Sequence, residues 1–149
     1  MKVTKRTGEV EDINFNKIAT RIKRLTNGLS SDVSPDLIAQ KVMSYLYDGI
    51  TTEQIDTLSA ETAIGMLTED TDYEKLATRL TASNIHKKAK PTFMDAMKAM
   101  YKGGILDKKV WSNMKTYEQD DINSIIKKNR DNDINYFGLK TLERGYLTR

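Results

Sequence analysis

Cysteine is absent from the 149 residues, which removes disulfides, thiolate zinc sites and every sulfur-based nucleophile or radical together. Histidine occurs once, at His86, among Lys87, Lys88 and Lys90. One imidazole set among lysines supplies neither a metal ligand set nor a general base with a positioned partner, and no Ser/His/Asp arrangement is recognisable. No apolar run approaches membrane-spanning length. The opening Met1-Lys2-Val3-Thr4-Lys5-Arg6 is charged and then strand-like, without the apolar core of a signal peptide, so a cytoplasmic location is expected. A large excess of one charge is missing too: 24 basic residues against 21 acidic ones leave a net charge of +3. That mild excess tolerates an anionic ligand but is not a nucleic-acid-binding tail.

What is present reads as a globular, mainly helical chain, 38% apolar and 30% charged, long enough for one domain with a helical appendage. Segments 3–5 and 10–13 flank Arg6-Thr7-Gly8-Glu9, where Gly8 can supply a positive φ, and predict a small N-terminal β-hairpin. Phe15, Ile18, Ile22 and Leu25 fall at helical spacing behind Asn14 as cap, with closure near Gly28. Ser34-Pro35 opens a second helix with Leu37, Ile38, Val42 and Leu46 on one face, ending before Asp48-Gly49. Thr51-Thr52-Glu53-Gln54 fits a capping box and starts a third helix expected to reach about Thr68, with Ile55, Leu58, Ala63 and Met66 or Leu67 inward. A fourth helix carries Tyr73, Leu76, Ala77, Leu80 and Asn84 onward to about Ala89. Pro91 marks a break, and from Thr92 the chain reads as helical pieces separated by Gly103-Gly104 and by the charged stretch 127–131, without a convincing strand.

The chemistry-bearing residues are few. Lys5, Arg6 and Gly8 in a turn beside helix N-termini have the parts of a phosphate site, namely fixed cations, close backbone approach and helix-end amides. Alone, that pattern is more commonly a solvated hairpin tip. Asn16-Lys17 and Thr51-Thr52 invite the same comparison, since capping already accounts for the threonines. Asp56 lies one turn beyond Thr52 on the same helix face, where it could accept a ribose hydroxyl or a lysine. Glu69, Asp70 and Asp72 read as a separator between helices, and the lysines around His86 as a solvated helix face.

Taken together, however, the strings are specific. Val3-Thr4-Lys5-Arg6-Thr7-Gly8 followed by Glu11, Phe15, Asn16, Lys17 and Ile18 closely resembles the opening of the ATP-cone domain of ribonucleotide reductases. Asp48-Gly49-Ile50-Thr51-Thr52-Glu53-Gln54-Ile55-Asp56 is similar to its next signature. Asp72-Tyr73 with Leu76-Ala77 and Arg79-Leu80, then Ser83-Asn84-Ile85-His86-Lys87, resemble the later ones, and the resemblance covers about residues 1–90. Thr7 departs from the acidic residue usual before the glycine, a change that a turn tolerates. The run 135–147, Asn135-Tyr136-Phe137-Gly138-Leu139-Lys140-Thr141-Leu142-Glu143-Arg144-Gly145-Tyr146-Leu147, is similar to the segment that enters the large catalytic subunit of class I enzymes.

The resemblance implies an ATP-cone four-helix domain over residues 1–91, followed over 92–149 by a helical connection and the start of the reductase large-subunit N-terminal region. It implies ATP or dATP as allosteric effector, with magnesium, in a module that keeps the reductase active with one nucleotide and switches it off with the other. Carried over to this sequence, the nucleotide would be lined by Lys5, Arg6, Glu11, Asp12, Ile13, Asn14, Phe15, Asn16, Lys17, Thr52, Asp56 and Lys87. Ile13 and Phe15 would give an apolar base wall, and Asp56 would affect how the two nucleotides are distinguished. The implied partners are the remainder of the large subunit and the small radical-generating subunit, with no nucleic acid and no membrane. The family's catalytic barrel and cysteines would lie beyond Arg149, so the chain is not expected to reduce a ribonucleotide on its own. The alternatives are a free-standing ATP/dATP sensor acting on a separate partner and a degenerate fragment. A cone-bearing repressor would carry a cysteine zinc ribbon and conflicts with the absence of cysteine.

Overall fold

Gly8 sits at φ +87° in the hairpin turn, a left-handed backbone that a side chain would strain. Around it, strands β1 (Lys2–Thr4) and β2 (Val10–Asp12) pair antiparallel with Val3 opposite Glu11, as the sequence predicts. The computed structural model describes residues 1–117 and 119–147. It adds a third strand that the sequence reading missed: β3 (Ile50–Thr51) lies parallel to β1, with Val3 opposite Ile50 and Thr4 opposite Thr51, in the order β2-β1-β3. Two residues cannot display an alternating pattern. The chain is turned onto β1 by Gly49, at φ +82°, whose amide donates to the Lys2 carbonyl at 2.9 Å. Because β1 and β3 are parallel, they end at the same edge, one continuing into Lys5 and Arg6 and the other directly into a helix.

Helix α1 (Phe15–Leu25) has the predicted bounds, and the Asn14 side chain accepts the Lys17 amide at 3.2 Å. Helix α2 (Pro35–Met43) is opened by Ser34, which accepts the Leu37 amide at 3.2 Å. It is shorter than expected. Leu37 is 36% exposed while Ala39 is fully buried, and Leu46 reaches the core from beyond the helix end. Helix α3 (Thr52–Gly65) starts with the predicted capping box, Thr51 Oγ1 accepting the Gln54 amide at 3.1 Å and Gln54 Oε1 accepting the Thr51 amide at 2.8 Å. It ends three residues before the expected Thr68, and Leu58 is only partly buried. Helix α4 (Asp72–Lys88) follows. Arg79 reaches from it to donate to the carbonyls of Leu25 and Asn27 at 2.7 and 2.8 Å, satisfying acceptors at and just beyond the C-terminus of α1.

Two compact units result, Met1–Ile85 together with the chain from Asn132 onward, and His86–Asp131. The first holds the core, with Val3, Ile22, Ile38, Val42, Ile50, Tyr73, Leu76 and Leu80 buried. It also holds α8 (Tyr136–Gly145), whose cap Asn135 accepts the Gly138 amide at 2.8 Å and whose Tyr136 joins the core cluster. The second unit contains α5 (Phe93–Lys102), α6 (Lys108–Met114) and α7 (Gln119–Ile125). Met94 and Met97 are buried there, Tyr101 stacks on Trp111 at 5.6 Å, and His86 Nε2 lies 2.6 Å from the Asp131 carboxylate. The charged stretch expected as a separator includes the start of a 3-10 helix, Lys128–Asp133.

Replacing Ile38, which has no exposed surface, by alanine is expected to lower unfolding free energy by about 3 kcal/mol through the cavity it leaves. Thr51→Ala should cost about 1 kcal/mol by removing the α3 cap. Urea unfolding read by circular dichroism, with unchanged m-value, checks both.

Candidate functional site

The edge where β1 and β3 both end gathers charge from four elements. Lys5, leaving β1, places Nζ 3.1 Å from Glu9 and 3.2 Å from Glu11. Lys17, in the first turn of α1, reaches the same Glu11 at 2.9 Å. The Glu11 carboxyl is therefore held below its ordinary range, by the hydrogen bond from Lys17 first and that from Lys5 second, while hydrogen bonds to Glu9 and Glu11 raise the Lys5 ammonium. Asp12 lies at the opposite end of the hairpin, paired with Lys2 at 2.8 Å.

Deeper in, Asp56 is only 3% exposed. Arg6 swings in from the hairpin turn, donating through Nη2 to Asp56 Oδ2 at 2.9 Å and to the Asn84 side-chain oxygen on α4. Arg21, two turns along α1, pairs with Asp56 Oδ1. Burial pushes the Arg21 guanidinium down to about 10, and the neighbouring positive charge of Arg6 acts in the same direction, so it is still charged at neutral pH. Two guanidiniums thus share one buried carboxylate. Lys5 and Lys17 thus pair with Glu9 and Glu11, while Arg6 and Arg21 both pair with Asp56. Arg21 Nη2 is buried without a hydrogen-bond partner, as is Thr81 Oγ1 on α4. A guanidinium donor left without an acceptor in a locally positive, half-buried setting favours an incoming anion.

The structure thus brings Lys5, Arg6, Glu11, Lys17 and Asp56 together. Thr52 is the half-buried first residue of α3, which leads on to Asp56. Asn14 has its side chain engaged in the α1 cap, Asn16 is exposed beside it, and Ile13 and Phe15 are half-buried against the core. Lys87 stands exposed in the last turn of α4, within the second unit. Arg21 and Asn84 were missed as site residues by sequence reasoning. The signal for Arg21 was available, since it follows Lys17 by four residues and shares its helix face; Asn84 offered only its membership of a helix. A cavity of about 10 Å³ lies behind Asp56 between α3, α4 and α8. An open groove of about 250 Å³, walled by Tyr47, Ile50 and Leu58, runs along α3 and includes none of the residues expected from the sequence.

The pattern of the ATP cone domain matches residues 1–88. The chain belongs to the ATP cone family. Beyond the cone, the whole sequence is similar to ribonucleoside-diphosphate reductase large subunits, over their N-terminal region. It is 40% identical to that of Caenorhabditis elegans over 99% of this chain, 42% to that of Arabidopsis thaliana over 100%, and 40% to that of Danio rerio over 100%. The chain spans about a fifth of the length of these relatives. The mainly helical fold with a small N-terminal sheet agrees with a cone followed by helices, and among the described residues no helix is long and apolar enough to cross a membrane.

Asp56→Asn removes the charge that both arginines share, and should lower the stability of the cone by about 2 kcal/mol through buried guanidinium donors left poorly matched; urea midpoints decide this. Acid provides a second check. Because the folded-state pKa of Glu11 lies below its usual 4.5, the unfolded chain binds more protons in that window, and stability falls as pH drops through it. Glu11→Gln should flatten that part of the stability–pH curve measured between pH 6 and 3.

Proposed function

We propose that the cone is an allosteric ATP/dATP-binding regulatory module of a ribonucleoside-diphosphate reductase large subunit, with the nucleotide phosphates at the edge where β1 and β3 end. The observation that carries the reading is the excess of positive charge around Asp56, where Arg6 and Arg21 converge on one carboxylate. Glu9 and Glu11 occupy the lysines much as phosphate oxygens would. A polyphosphate, with more charge and better geometry for a guanidinium fork, displaces them.

Lys5, Arg6, Lys17 and Arg21 would bind phosphates, Thr52 would present its hydroxyl at the start of α3, and the segment 11–17 would carry the sugar and base. Lys87 is carried over as a nucleotide-binding residue by the family pattern that matches residues 1–88. Asp56 already accepts from both arginines. Its part in telling ATP from dATP is therefore to set where those arginines stand, and no direct contact with the sugar is required. Magnesium would arrive with the nucleotide, and Glu9 and Glu11 would supply outer partners near the phosphates. The functional division proposed is a cone over 1–91 and a connection over 92–149 toward the rest of a cytoplasmic large subunit and its radical-generating partner, where the chemistry would reside.

Titration calorimetry of the whole chain with ATP and with dATP, in magnesium, should give saturable binding with both. Lys5→Ala, at a half-buried side chain, should weaken it at least about tenfold, in line with the loss of one charge-assisted hydrogen bond. A folded chain that takes up neither nucleotide would refute the reading.

A further inference from the structure

Helix α8 packs against the rear of the Asp56 cluster, and its residues have no part in the site described so far. The small cavity behind Asp56 is bounded on one side by Asp56, Thr81 and Asn84 and on the other by Tyr136, Lys140 and Glu143. At about 10 Å³ it is near the lower limit for a single water molecule. The α8 wall is charged and largely covered: Lys140 Nζ lies 2.8 Å from Glu143 Oε2, with the two side chains only 23% and 20% exposed. The opposite wall contains Asn84, which accepts from Arg6, and Thr81, whose hydroxyl is buried without a partner. Tyr136 anchors the helix in the core.

We propose that α8 is the output element of the cone and that Lys140 is a positioning residue for the Asp56 cluster. The inference rests on the nucleotide reading above. When phosphate draws Arg6 or Arg21 away from Asp56, the carboxylate loses part of its neutralising charge. The ammonium of Lys140, which lines the same cavity as Asp56, is then a positive group that can compensate it. Lys140 is already shared with Glu143, so any shift toward Asp56 changes the ion pair that shapes the inner face of α8. The Thr81 hydroxyl, lacking a partner, provides a further hydrogen-bonding position for the rearranged wall. Occupancy of the front of the cluster is thereby converted into a change in how firmly α8 is held at the rear. By linkage, a change in α8 must alter nucleotide affinity by the same factor.

The test combines hydrogen–deuterium exchange of the peptide covering α8 with calorimetry, on the full chain, using ATP and magnesium. In the wild type, saturating ATP is expected to change α8 amide exchange by about fivefold, the lower end of usual allosteric couplings. Lys140→Met should abolish that change and shift the ATP dissociation constant by a similar factor. Lys140→Arg, which retains the charge, should restore both, and Thr141→Ala, on the exposed face of the same helix, should behave as wild type. Glu143→Gln, checked for folding by circular dichroism, gives an independent perturbation of the ion pair and should alter the exchange response. Saturable ATP heat with α8 exchange unaffected, or a Lys140→Met protein that responds like wild type, overturns the inference while leaving the nucleotide reading intact. Absence of heat overturns both.

Discussion

A carboxylate buried to 3% exposure needs its charge compensated within the fold, and for Asp56 the compensation comes from parts of the chain far apart in sequence. Arg6 comes from the hairpin, Arg21 from α1, and Asn84 on α4 holds Arg6 from the other side. Burying an ion costs several kcal/mol unless it is well paired. This cluster therefore specifies how the hairpin and three helices meet more than it adds net stability. It also over-compensates. Two guanidiniums on one carboxylate leave positive charge beneath a half-exposed edge, so the same feature that constrains the fold also favours an approaching anion.

The three-stranded sheet determines where that edge lies. Parallel pairing of β1 with β3 makes both strands run out together, so the basic hairpin turn and the capped start of α3 become neighbours although Lys5 and Thr51 stand 46 positions apart in the sequence. Had β3 paired antiparallel, α3 would leave from the opposite edge, and Asp56 would lie away from Arg6. The short strand thus has an influence out of proportion to its two residues. Its register is fixed by the Gly49 amide on the Lys2 carbonyl and by the Lys2 amide on the Asp48 carboxylate at 2.6 Å.

That strand is also where sequence reading stopped being sufficient. Helices were legible because their signals are local: Asn14, Ser34 and the Thr51/Gln54 box mark three N-termini within a few residues of the atoms they bond. The hairpin was legible from Gly8. A two-residue strand has no period, and its existence depends on a partner far away in sequence. The site divides along the same line. Lys5, Arg6 and Glu11 stand out by motif, and Asp56 by its spacing from Thr52, but the ion pairs that make Asp56 the centre are tertiary. Arg21 and Asn84 look like ordinary helix residues until α1 and α4 are packed. The inward face of α2 was misread for a related reason, since Leu37 is the more apolar residue but Ala39 is the one that the close approach of α1 and α3 can accommodate.

The carboxylates at the edge also bear on how a ligand would be received. Glu9 and Glu11 hold Lys5 and Lys17 in place before any anion arrives, so the lysines are partly ordered in advance and lose less side-chain freedom on binding. The same carboxylates must then be displaced or bridged, which weakens binding unless the incoming group carries more than one negative charge or brings a cation with it. A monoanion would gain little over Glu11, whereas a group with several negative charges can replace both carboxylates at once. The charge pattern therefore discriminates by the number of charges on the ligand.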